Sequence, residues 1–281
     1  RRAAETGRPA PILNLFKFLR INKLRQTRDV VRWGRVVLEK YRSHMGDELW
    51  TVLEQVMIAA LDLHDTELSK ECLKELQTKF PESARVKRLE GMQSEALGEW
   101  GAAKEIYKQM LEENPANTLA MKRQVCVLKA QGNYPQAIRQ LNEYLSTFGA
   151  DTSAWQELGE MYMAISKYEA AVFCYEELIL SNPTNHIHHC RLGELYYTLG
   201  PKHLRTARKY FAQSLDLKKD GNLRAMHGLA SCCRAIMASP DRKTRADVTS
   251  ALDDYAVGEL IATYTEKNPA MLPKLNALLE I

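Results

Sequence analysis

Long apolar runs are absent from this 281-residue chain: none exceeds six residues, as at Val56–Leu61, far short of the roughly 18 that a membrane-spanning helix needs. Paired cysteines are absent too. The six cysteines (Cys72, Cys126, Cys174, Cys190, Cys232, Cys233) form no CxxC motif, and reduced core thiols of a cytosolic protein are the expected state. The adjacent Cys232 and Cys233 read as helix packing, because neighbouring residues fit disulfide geometry poorly. Phosphate-loop, dinucleotide-binding, nucleophile-elbow and HExxH motifs are all missing, so no enzyme activity, metal or cofactor is expected.

Acids are scarce at the N-terminus. Residues 1–42 hold twelve Lys/Arg against three acids, +9, so with a formal net charge of +4 the remainder sums to −5. No secretory signal is expected, since Lys17 and Arg20 interrupt the only stretch able to serve as its apolar region. The stretch is Arg-rich like a transit peptide, but it contains no Ser. Ile12, Leu15, Phe16 and Leu19 share one helical face beside Lys17, Arg20 and Lys23. Residues 1–28 therefore have two readings, a helix lying in an anionic membrane interface or a segment that is disordered or packs as a cap, and the second is preferred. Nucleic-acid binding is not expected, because the rest of the chain is net acidic.

What the sequence has in abundance is repetition. Phe80-Pro81, Asn114-Pro115, Phe148-Gly149 and Asn182-Pro183 follow one another at 34-residue steps, the period of the tetratricopeptide (TPR) repeat. Trp100, Tyr134 and Tyr168 keep the same step, as do Ala103, Ala137 and Ala171, and then Tyr107, Leu141 and Tyr175. Alanine lets two antiparallel helices cross closely, and the larger residue four positions on fills the space between them. Turns are expected at Gly98, Gly132, Ser166 and Gly200, and Pro81, Pro115 and Pro183 stop the second helices they follow. The fullest copy carries Trp155, Leu158, Gly159, Tyr162, Tyr168, Ala171, Tyr175 and Pro183 at consensus spacing.

The expected fold is all-α, a TPR superhelical solenoid of about five helix-pair repeats with capping helices at both ends. A basic segment (1–28) and a capping helix (29–49) precede units at 50–83, 84–117, 118–151, 152–185 and 186–221. C-terminal helices, read as Leu223 to Met237, Ala246 to Tyr264 and Met271 to Ile281, fill 222–281. The fifth unit has two extra residues, placed with Pro201-Lys202 in its inter-helix turn. The first unit lacks the aromatic, the alanine and the turn glycine.

In a TPR array the first helices line a concave groove whose function is binding. The second, fifth and ninth positions of each unit face it, and from them, with Arg123 added as the neighbour of Lys122, a candidate partner site is drawn: Arg85, Arg88, Met92, Lys122, Arg123, Gln156, Glu160 and Glu194. Its second and third units are basic and its fourth and fifth acidic, which has two readings, a solvated charged face, which is preferred, or a site for an acidic partner segment gripped by arginine at the basic end. The clamp by which TPR cochaperones hold an acidic chaperone tail is not present. Windows beginning at successive units give Glu54, Ile58, Leu89, Leu119, Arg123; then Arg88, Met92, Arg123, Ser153, Glu157; then Lys122, Cys126, Glu157, Ile187, Arg191, none with the required Lys and Asn set. His186, His188, His189 and Cys190 read as a polar helix start.

The strings Glu54-Gln55-Val56-Met57-Ile58-Ala59-Ala60-Leu61-Asp62, Arg85-Val86-Lys87-Arg88-Leu89, Leu141-Asn142-Glu143-Tyr144-Leu145 and Arg208-Lys209-Tyr210-Phe211-Ala212-Gln213 are not required by the TPR fold. From about Asp29 onward they resemble the family of subunit 2 of the endoplasmic reticulum (ER) membrane protein complex. That resemblance implies a non-catalytic scaffold, peripheral on the cytosolic face of the ER membrane and not a homo-oligomer. It implies as partners the cytosolic segments of transmembrane subunits and a soluble subunit, in a complex that inserts tail-anchored and multipass proteins. The alternative is a TPR adaptor in another cytosolic assembly, a cochaperone or an RNA-processing scaffold.

Overall fold

The computed structural model describes residues 9–238 and 249–279, and within them it has fifteen α-helices and no strand. Two helices lead, α1 (Pro9–Ile21) and α2 (Thr27–Lys40). The helices of the five repeats follow in chain order: α3 (Glu48–Asp62) and α4 (Thr66–Lys79), α5 (Ala84–Ala96) and α6 (Trp100–Glu113), α7 (Thr118–Ala130) and α8 (Tyr134–Thr147), α9 (Thr152–Ala164) and α10 (Tyr168–Ser181), and α11 (His186–Thr198) and α12 (Leu204–Leu217); the first, second, fourth and fifth of these are packed hairpins. Then come α13 (Leu223–Met237), α14 (Thr249–Lys267) and α15 (Leu272–Leu278). Residues 239–248, which include the expected Ser239-Pro240 break and the start of the helix drawn from Ala246, lie outside the described residues.

Local chemistry fixes each hairpin. Asp65, Asn117, Asp151, Asn185 and Asn222 cap the helices that follow them by accepting backbone N–H bonds, each cap stabilising its helix by about 1 kcal/mol. The turn residues Gly98 (φ +76°), Gly132 (+72°), Ser166 (+58°) and Gly200 (+99°) all take positive φ. His64 (φ +57°) does so in the first hairpin, one 34-residue step before Gly98, which the missing glycine concealed. Ser69 likewise replaces the expected alanine: it is buried with Ala103, Ala137, Ala171 and Ala207, and its hydroxyl donates to the Thr66 carbonyl at 2.9 Å. The extra residues of the fifth hairpin form a short 3₁₀ turn, Pro201–His203, between α11 and α12.

The chain divides into two compact units, Arg1–Asn133 and Tyr134–Ile281, and the divide falls in the turn of the third repeat. In the first unit, Ile12, Phe16 and Leu19 of α1 share a buried cluster with Val30, Val31 and Val37 of α2 and Val52, Leu53 and Val56 of α3, while Leu15 packs on it partly exposed. The apolar face that could have entered a membrane interface is therefore occupied by the protein's own core. Ala120 and Val127 of α7 join Ala103, Tyr107 and Met110 of α6. In the second unit, Phe211 and Leu215 of α12 pack with Leu229, Cys233 and Ile236 of α13, Leu260 of α14 and Leu275 of α15. Full burial of each such side chain is worth roughly 1.5–3 kcal/mol, and here it covers the apolar side of the fifth hairpin.

Candidate functional site

The first helices of the repeats carry the candidate groove residues, Arg85, Arg88, Met92, Lys122 and Arg123 in the first unit and Gln156, Glu160 and Glu194 in the second. In the first unit a cavity of ≈ 340 Å³ is lined by Ile58 of α3, Arg88 and Met92 of α5, Leu119, Lys122, Arg123 and Cys126 of α7, and Arg25 from the α1–α2 loop. Four of the expected site residues, Arg88, Met92, Lys122 and Arg123, thus converge on one concavity. Its apolar floor and cationic rim suit a segment with an aliphatic side chain flanked by carboxylates.

Much of that charge is already engaged inside the chain. Arg88 Nη2 donates to Glu54 Oε1 at 3.0 Å, Arg85 pairs with Glu54 Oε2, and the Glu54 side chain is only 11% exposed. Arg123 Nη1 reaches Glu95 Oε2 at 3.2 Å, and Arg25 Nε reaches Asp62 Oδ2 at 2.8 Å. Glu54 and Arg88 occupy the same column of neighbouring repeats, 34 residues apart, so opposite charge at equivalent positions was the signal that could have revealed the pair.

In the second unit Gln156 donates to Glu160 at 3.0 Å. Glu194 receives Arg191 at 3.0 Å and Arg224 Nη2 at 2.8 Å. The acidic end of the expected gradient is therefore partly neutralised by its own helices. Glu160 stays exposed.

The structural columns are occupied as the repeat requires. Ala103, Ala137, Ala171 and Leu158 are buried, and Trp155 Nε1 donates to the Gly149 carbonyl at 2.8 Å while meeting Phe173 edge-on. Tyr162 accepts from Asn142 at 3.3 Å, and the carbonyl of Pro183 is 2.8 Å from His189 Nε2. His188 is 2.8 Å from Asn185, so both histidines serve the start of α11. Burial and then the neighbouring His189 push the His188 imidazole below its ordinary value. Among the described residues no group of acidic, histidine or cysteine side chains could hold a metal ion. Among the same residues no helix is long and apolar enough to cross a membrane.

Hairpins repeating every 34 residues, with small residues at each crossing and a left-handed residue at each turn, define a TPR-repeat protein. Consistent with this, the C-terminal part of a TPR repeat-containing protein from Cytophaga hutchinsonii has the same fold, with TM-score 0.60 at 14% identity over 92% of this chain and 98% of that one. Residues 73–216 match the family model described as the EMC2 TPR-like repeat domain. The chain is 42% identical over 225 residues to ER membrane protein complex subunit 2 of Xenopus tropicalis, covering 80% of this chain and 75% of that protein. It is 31% identical over 257 residues to the TPR repeat protein oca3 of Schizosaccharomyces pombe, covering 86% and 89%. The chain belongs to the family of ER membrane protein complex subunit 2.

Proposed function

We propose that this chain is a non-catalytic scaffold subunit of an ER membrane protein complex, peripheral on the cytosolic face of the membrane, and that it organises cytosolic parts of the complex. Cytosolic segments of transmembrane subunits and a soluble subunit are its partners, and through them it supports insertion of tail-anchored and multipass proteins. The observation that carries this reading is the family match across the central repeats, which contain the groove-bearing helices α5, α7, α9 and α11. The concavity of the first unit supplies a docking surface with an apolar floor and a cationic rim, the character expected for capture of a short segment rather than for turnover of a small molecule.

The test is capture of the tagged chain from its own cells in mild detergent, with mass spectrometry of what accompanies it. Several multipass ER proteins in fixed ratio are the expected result. Recovery of soluble chaperones or RNA-processing factors alone would replace this reading with that of an adaptor in another assembly.

A further inference from the structure

The N-terminal helix has a second side. With Ile12, Phe16 and Leu19 turned into the core, the opposite arc of α1 leaves Phe18 54% and Ile21 69% exposed, and Leu24 just beyond the helix is 46% exposed. The helix ends in a reversal in which Lys23 takes a left-handed conformation (φ +51°). Leu24 N–H bonds to the Leu19 carbonyl at 2.9 Å and Lys23 N–H to the Arg20 carbonyl at 3.2 Å, which holds Leu24 against the helix end. Three large apolar side chains are thus fixed at one corner, although folding alone would place them inside.

The charge carried by this stretch of the chain has one sign, and the nearby Asp62 is taken up by Arg25. Residues 9–28 contain Lys17, Arg20, Lys23, Arg25 and Arg28 and no acid. Arg20 bonds to Gln55 and Arg25 to Asp62, whereas Lys17, Lys23 and Arg28 are exposed and have no ion-pair partner among the described residues. An aromatic and two aliphatic side chains exposed on a stretch whose only charges are cations match the boundary of an anionic bilayer. There the apolar groups enter the headgroup layer and the cations meet lipid phosphates and carboxylates.

We infer that the exposed end of α1 and the turn after it, carrying Lys17, Phe18, Ile21, Lys23 and Leu24, is a docking surface for an anionic lipid bilayer. It gives the chain a direct hold on the membrane in addition to its protein partners, and only the identity of that membrane rests on the function proposed above.

The test is cosedimentation of the full chain with vesicles of phosphatidylcholine alone and of phosphatidylcholine with phosphatidylserine. Binding to the anionic vesicles is expected to be at least about tenfold the stronger and to weaken as salt is raised. Phe18→Ser with Ile21→Ser, and separately Lys17→Glu with Lys23→Glu, should each lower it by about tenfold. Both pairs change exposed side chains, so melting temperatures equal to that of the native chain are expected, and either pair alone suffices if the other melts early. Equal binding to both vesicle types, no binding, or variants that bind like the native chain would overturn the inference. So would native chain that ignores vesicles while the Phe18/Ile21 variant loses a protein from its captured complex, since that corner is then a protein interface. Failure of the native chain to capture any multipass ER protein, with vesicle binding intact, would instead overturn the proposed function and leave this surface standing.

Discussion

Gly159 of α9 lies against the ring of Tyr175 of α10, so close that a Cβ at position 159 would stand 2.9 Å from Tyr175 Cε2. The same pairing recurs at Gly91 with Tyr107 and at Gly193 with Phe211. In the first repeat the corresponding residues are Met57 and Leu73, both in one buried cluster, and the third repeat carries Val125 and Leu141 in these columns. In the repeats that lie within one unit, bulk on the first helix is thus exchanged for bulk on the second, and the gap between them stays filled.

Gly159→Val should therefore cost about 1–3 kcal/mol by overpacking against Tyr175. Tyr175→Leu should recover part of it, and a double-mutant cycle followed by chemical denaturation is expected to give a coupling of about 0.5–3 kcal/mol. Purely additive losses would show that ring and glycine do not share the space.

Ala171 is fully buried where α10 crosses its neighbours. Ala171→Arg should unfold the second unit or lower its melting temperature sharply, a loss exceeding about 4 kcal/mol, because a long charged side chain has neither room nor partner there. An unchanged melting temperature would show that the crossing lies elsewhere.

Groove charge and stability are linked at Arg88. Because Arg88 faces Glu54, Arg88→Glu should cost about 2–3 kcal/mol in addition to weakening partner capture. Lys122→Glu tests capture with the Glu54 pair left intact. Reduced recovery of partners by a chain that still folds is the expected result, and full recovery would remove the cationic rim from the binding surface.

Two histidines of the second unit set a pH dependence. Burial lowers His227 and, with a smaller contribution from His189, lowers His188 below the imidazole value of 6.5 that the unfolded chain keeps. Unfolding then takes up protons in the window below 6.5, so stability is full above that value and falls as the pH drops through it. Melting temperature should decline between pH ~7 and ~5, and His188→Gln with His227→Gln should flatten the decline.

Thiol reactivity should single out one cysteine. Burial pushes Cys72, Cys174 and Cys232 up to about 12 and Cys190 and Cys233 up to about 11, whereas Cys126 is partly exposed in the groove cavity. Iodoacetamide applied to the native chain should label Cys126 first, as peptide mass spectrometry would read.

The repeat was legible because a few residue types carry it. Glycine at 98, 132 and 200, and alanine at 103, 137 and 171, can be read without knowing any contact, since turn and crossing impose them locally. His64 and Ser69 fill the same two roles in the first repeat but escape the pattern, because neither residue type marks a turn or a crossing by itself. The side of α1 that faces the core was visible as periodicity, yet periodicity does not say whether protein or lipid covers it. The groove was legible as a set of positions, and Arg88, Met92, Lys122 and Arg123 do meet at one cavity. Its electrostatics were not, because Glu54 and Glu95 neutralise their arginines across repeats, and such pairing depends on which columns become neighbours in space.

The exchange of bulk between glycine and ring also bears on how such a chain could have been copied. Two kinds of hairpin alternate irregularly along it, one with a bare first helix and an aromatic second, the other with a bulky first helix and a leucine second. A recombination joining the first helix of one kind to the second helix of the other would leave either a hole or a collision. Duplication and exchange are therefore tolerated only at breakpoints between hairpins, and the heritable module is the matched pair rather than the single helix.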